Sequence, residues 1–140
     1  MARTRRRHEA SPPQRLILDS GAVIALSRQD LRARAVLAAA WEAGAQVVIP
    51  SVVLAETLRG SPRDAPVNQV ITSVGEVAGA DAAVGRLAGT LLGATRSGTT
   101  VDAIIVATAV AVGGGVLLTG DLEDLRPLAD GHPEVVVRPL

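Results

Sequence analysis

The chain has 140 residues, 14 Lys+Arg against 14 Asp+Glu, a formal net charge of zero and a hydrophobic fraction of 48%. That length suits one domain, which can bury roughly two-thirds of the surface its unfolded chain exposes. Every basic residue is Arg, and Lys, Cys, Tyr and Phe are absent, which excludes a phosphate-binding P-loop, a Schiff-base lysine, a thiol nucleophile, a Cys-ligated zinc and a Phe/Tyr platform for base stacking.

Residues 1–14 are polar, contain Arg3, Arg5, Arg6 and Arg7, and read as a flexible tail ahead of a domain at 15–140. No signal-peptide run precedes that domain, and the longest apolar run, Ala103–Val112, is about half a membrane span. A soluble cytoplasmic protein with no membrane partner is expected. Leu16-Ile17-Leu18 is continuously apolar and ends at Asp19-Ser20-Gly21, as a strand buried on both faces would. Leu31–Ala43 is Ala- and Arg-rich, stops at Gly44 and reads as a helix. Gln46–Ile49 is a second strand. Ser51 then caps a helix running through Glu56 to Leu58, and Asp64 with Pro66 opens another short one. Asp81–Ala94 and Val101–Val112 are the longest helical stretches, the second capped by Thr99-Thr100 and stopped by Gly113-Gly114-Gly115. Val116–Thr119 is a third strand and Val135–Val137 an edge strand. Alternating strands and helices predict an α/β fold with a mostly parallel sheet of four to five strands.

In such a sheet, ligands gather beyond the carboxyl ends of the strands. Asp19 ends the first strand, Asp121 follows the Val116–Thr119 strand, Asp102 sits in the first turn of its helix, and Glu56 lies on the helix after the second strand. Each acid interrupts an apolar stretch, where an unpaired carboxylate is seldom placed without a reason. Carboxylates brought together cannot all stay ionised unless a cation or raised pKa values relieve them. Oxygen ligands without His or Cys select Mg²⁺ or Mn²⁺ over zinc, and such an ion suits phosphate-ester chemistry.

The segments Leu16-Ile17-Leu18-Asp19-Ser20-Gly21-Ala22, Ile49-Pro50-Ser51-Val52-Val53-Leu54-Ala55-Glu56, Val101-Asp102-Ala103-Ile104-Ile105-Val106-Ala107 and Leu117-Leu118-Thr119-Gly120-Asp121 resemble, in order and spacing, a PIN-domain ribonuclease of the VapC toxin branch. The resemblance covers residues 15 to about 125. It implies a three-layer α/β/α domain and a magnesium-dependent endoribonuclease. Asp19, Glu56, Asp102 and Asp121 are carried over as the acidic set, with Asp19 and Asp102 as direct metal ligands and Glu56 and Asp121 as ligands or water-mediated partners. Ser20 and Thr119 stand where hydroxyls support the site in this family; ordinary turn positions are the alternative. Asp124 is either a helper or a solvated helix acid. An RNA substrate, a VapB-type antitoxin and a homodimer follow from the same resemblance. Gly120 and the long tail depart from the pattern.

Other readings compete. A haloacid-dehalogenase-type phosphatase would want an acid at Gly21 and a Lys that the chain lacks, and a non-cutting PIN-like module that binds RNA or protein would not need all four acids. Gly85, Gly89 and Gly93 form a stripe along one helix, expected to pack closely against a helix of the same chain, with a second subunit or an antitoxin segment as the alternatives. Gly113-Gly114-Gly115 lies after a helix rather than a strand, so it reads as a helix stop, not a nucleotide loop. Trp41 reads as core or interface. His8 and His132 lie in the tail and in a turn, so neither is placed as a general base.

Overall fold

A computed structural model of the chain describes residues 14–96 and 98–140. The elements run β1 (Arg15–Leu18), α1 (Ser20–Ser27), α2 (Leu31–Glu42), β2 (Gln46–Pro50), α3 (Ser51–Thr57), a 3₁₀ turn (Pro62–Asp64), α4 (Ala65–Val74), β3 (Glu76–Ala78), α5 (Ala82–Thr95), α6 (Thr100–Ala111), β4 (Gly115–Thr119), α7 (Leu122–Ala129) and β5 (Val135–Pro139). All five strands are parallel, in the order β3-β2-β1-β4-β5. The α/β reading from the sequence therefore stands, with an all-parallel sheet. Of the Arg-rich tail, residues 1–13 lie outside the described residues.

Strand order explains the layers. The chain moves outward from β1 to β2 and β3, then returns to β4 and β5 on the other side of β1. Right-handed crossovers place the helices of the first excursion on one face and those of the second on the opposite face. Accordingly α2 packs on β1 and β2, whereas α6 and α7 pack on β5. Between them lies a core in which Ile17, Leu18, Ile49, Leu117 and Leu118 of the strands meet Ile105, Val106, Leu125 and Leu128 of the helices, all essentially inaccessible. Each such side chain contributes roughly 1.5–3 kcal/mol of transfer free energy. The switch in winding direction falls between β1 and β4, and parallel sheets open a crevice at that point.

Local signals set most boundaries. Asp30 and Asp81 accept the Ala33 and Val84 N–H groups at 2.9 Å and so start α2 and α5. Thr99 caps α6 through the Asp102 N–H at 3.1 Å. The Ser51 cap is corrected. Pro50 occupies the N-cap of α3 and no side-chain cap bond forms. Asp64 is also more than a helix opener, because its carboxylate reaches back to accept N–H bonds from Arg59 at 2.9 Å, Gly60 at 2.7 Å and Ser61 at 3.2 Å. Those donors, that of Arg59 foremost, hold its carboxyl below the usual aspartate value.

The glycine stripe of α5 differs from expectation as well. Among the described residues, a Cβ at Gly85, Gly89 or Gly93 would meet nothing within 4 Å, so no described helix of the same chain packs there. By contrast, Gly114 and Gly115 adopt positive φ and lie against Glu134 and Arg15. The triple glycine is a tight helix-to-strand passage.

Candidate active site

Asp19 is carried at the C-terminal end of β1, where its side chain begins α1 by accepting the Ala22 N–H at 2.9 Å. It is only 5% exposed. The Thr119 hydroxyl and the Gly120 N–H also donate to its carboxylate. Burial nevertheless dominates and pushes the carboxyl up, with the charge of Asp121 adding to the shift. Thr119 is 1% exposed and completes a second bond, accepting the Asp121 N–H at 2.7 Å. One buried hydroxyl thus ties the acid after β1 to the loop carrying the acid after β4.

The two loops abut at Gly21. A Cβ there would sit 3.1 Å from the Gly120 nitrogen, whereas one on Gly120 would sit 3.6 Å from the Gly21 Cα, an ordinary van der Waals contact. The close approach therefore accounts for glycine at 21 and not for Gly120, which departs from the family pattern.

Asp102 lies one turn into α6, half-buried. Burial raises its carboxyl; a hydrogen bond with the Thr99 side chain opposes the rise, and the charges of Asp124, Asp121 and Glu56 reinforce it in that order. Glu56 is exposed on α3, and its Oε1 accepts the Ser20 hydroxyl. The four acids and both supporting hydroxyls of the sequence reading accordingly gather at the carboxyl edge of β1 and β4. Gly120 to Asp124 line an open cavity of about 340 Å³ there.

Asp124 is exposed on α7, and after burial its charge is the first of the carboxylate charges that raise Asp102. Thr99 binds both the N–H and the carboxylate of Asp102. Its cap position was legible in the sequence, but its second bond was not, because a capping hydroxyl turns to its acid only once the helix start is built.

The donor set is all oxygen, mutually repelling and partly buried, which fits a hard divalent cation. Among the described residues, no three His, Cys, Asp or Glu side chains are gathered into a ready coordination shell.

Comparison with known proteins follows the same lines. The sequence matches the PIN domain family over residues 16–129. No curated protein matches it significantly. Among solved structures, the chain is similar to VapBC2 from Rickettsia felis bound to a promoter DNA fragment, with a TM-score of 0.72 at 15% identity, covering 89% of this chain and 98% of that one. It is also similar to a toxin–antitoxin complex from Klebsiella pneumoniae, with a TM-score of 0.66 at 21% identity, covering 86% and 95%. A third likeness is to FitAB bound to a DNA fragment, with a TM-score of 0.60 at 17% identity, covering 89% and 94%.

Proposed function

The chain belongs to the PIN domain family, whose members are generally nucleases that use a divalent metal, and from that premise we propose that it is the toxin of a type II toxin–antitoxin pair, an Mg²⁺-dependent endoribonuclease. The observation that carries this reading is the gathering of Asp19, Glu56, Asp102 and Asp121 at the winding switch, where burial, with the charge of Asp121 adding to it, raises the carboxyls of both Asp19 and Asp102. Mn²⁺ is an alternative ion with the same ligand preference. A cognate VapB-type antitoxin is the proposed protein partner, supported by the toxin–antitoxin complexes among its structural likenesses. A homodimer in the cytoplasm completes the proposal. Among the described residues, no helix is long and apolar enough to cross a membrane.

Asp19 and Asp102 are the two acids whose burial most disfavours ionisation without a counter-charge, so they are the direct ligands. Thr119 and the Ala22 and Gly120 N–H groups fix the Asp19 carboxylate. Thr99 fixes Asp102, and Ser20 holds Glu56. Asp121 and Asp124 complete the negative rim. When bound, the divalent ion supplies water activation and charge neutralisation at the phosphoryl oxygens. The deciding experiment incubates purified protein with total RNA in Mg²⁺ and in excess chelator. Cleavage confined to Mg²⁺ or Mn²⁺, with sequenced RNA ends, is expected; undiminished cleavage in chelator overturns the mechanism.

A further inference from the structure

The helix that carries Glu56 ends in a turn that the proposed chemistry does not use. Leu58 leaves α3 with extended backbone, and Gly60 follows at φ +75°, so the chain swings round before the 3₁₀ turn. Exposed polar loops of this kind are ordinarily mobile. This one is fastened from within. Asp64 is 8% exposed, and its carboxylate takes the Arg59, Gly60 and Ser61 N–H groups, while Ser61 and Asp64 form a reciprocal capping box. Three backbone donors answer one acid, so its charge is directed inward.

Outward, the turn presents two arginines. Arg59 and Arg63 are exposed and, among the described residues, neither forms an ion pair. Arg59 is also aimed. Its Nη1 donates to the Ala55 and Leu58 carbonyls at 2.9 and 2.8 Å, groups of the kind that a helix end leaves unsatisfied. The Ala55 carbonyl is joined to the Glu56 nitrogen, so the guanidinium is held within one turn of a site acid, with Nε and Nη2 left for a ligand. Such a planar fork is always charged and matches phosphate. Trp41 is the only aromatic residue in the chain, so the turn has nothing on which to stack a base.

We infer that Arg59 and Arg63 form a phosphate subsite for the RNA strand, placed by Asp64 and holding the backbone on the Glu56 side of the cleaved bond. The inference rests on the nuclease reading above and adds to it where the substrate is held. Asp64 touches no substrate; it is a positioning residue that acts through the turn. Phosphate contacts carry no base information, so the two arginines set affinity and leave the cleavage sequence to other groups.

The test is fluorescence anisotropy of a labelled oligouridylate with the full chain carrying Asp19→Asn, at fixed Mg²⁺, from about 50 to 200 mM salt. Adding Arg59→Gln and Arg63→Gln should lower the log–log salt slope by about 1.4, at about 0.7 per phosphate contact, and weaken binding at least about 10-fold at the low-salt end. Because Arg59 also closes α3, Arg63→Gln is measured alone. Its guanidinium bonds nothing among the described residues, so half the slope change is expected with an unaltered thermal melt. Arg34→Gln, exposed on α2, should leave the slope as it was. In the cleaving chain, the arginine pair and Asp64→Ala should each raise KM with kcat and the sequenced RNA ends unchanged. A chain that neither binds this RNA nor cuts RNA in its native form overturns the nuclease reading and the subsite together. Binding with an unchanged slope in the double variant, or an equal loss in Arg34→Gln, overturns the subsite and leaves the nuclease reading standing. An unchanged KM in Asp64→Ala overturns its positioning role.

Discussion

Asp19 is at once the N-cap of α1 and a buried acid of the site, and the two roles act oppositely on its ionisation. Its folded pKa lies above the ordinary value of 3.8 because burial outweighs three hydrogen bonds; Asp102 is raised likewise. Over the pH range between the unfolded and folded values the native state binds more protons, so stability falls as pH rises through it. Asp64 behaves inversely. Its lowered pKa stabilises the fold above 3.8 and that contribution is lost as pH falls through the folded value. Melting temperatures of the metal-free protein should therefore decline on raising pH above the aspartate range, and Mg²⁺ should remove that decline. An identical pH profile with and without Mg²⁺ would disconnect the site acids from the metal. For activity, outer-shell changes cost roughly 10–100-fold, so Asp19→Asn and Asp102→Asn, which remove the two proposed direct ligands, should lower the cleavage rate by more than about 100-fold while the cooperative melt persists. Thr119→Val strands the Asp121 N–H and frees Asp19; a loss of about 1–2 kcal/mol and a roughly 10-fold weaker Mg²⁺ response are expected. Thr119→Ser should restore both in the same titration.

At the scale of elements, what could be read in advance was whatever carries its own period or cap. The strands β1, β2 and β4 are apolar runs ending at functional loops, and α2, α5 and α6 have caps and stops in the sequence. The acids were legible for the same reason, since each breaks an apolar run. Helix α1 was not legible, because Ser20–Ser27 is apolar nearly all round and offers no amphipathic stripe to separate it from a strand. Strand β3 is three residues long with Glu76 and Val77 exposed, so its pairing with β2 decides it, not its composition. Glycine shows the limit most sharply. Spacing alone implied a close partner for Gly85, Gly89 and Gly93, whereas the helix faces open space at all three. Glycine costs a helix up to about 1 kcal/mol relative to alanine, so Gly89→Ala should raise the melting temperature. Gly75→Ala should do the reverse, since its Cβ would fall 2.2 Å from the Val47 carbonyl oxygen. Thermal melts of the two variants side by side check the contrast.

For the whole molecule, a net charge of zero is a sum over two unlike parts. Residues 1–10 hold four Arg and one Glu, and residues 11–140 hold ten Arg and thirteen Asp+Glu, a formal −3. Four of those acids crowd one edge of the sheet, so the folded body repels a polyanion where it would have to bind one. In the proposed function two features oppose that repulsion: a divalent cation at the carboxylates, which acts locally, and the basic segment, whose charge acts over a Debye length and is screened by salt. The second has a measurable signature. Single-stranded RNA contacts contribute about 0.7 to the log–log salt slope per phosphate neutralised, so four arginines contribute up to about 3. With the Asp19→Asn variant to prevent cleavage and Mg²⁺ fixed, fluorescence anisotropy from about 50 to 300 mM salt should show tighter binding by the full chain than by one lacking residues 1–10. The two curves should converge at the high-salt end. Coincident curves throughout the series would assign RNA capture to the folded body and its cation alone.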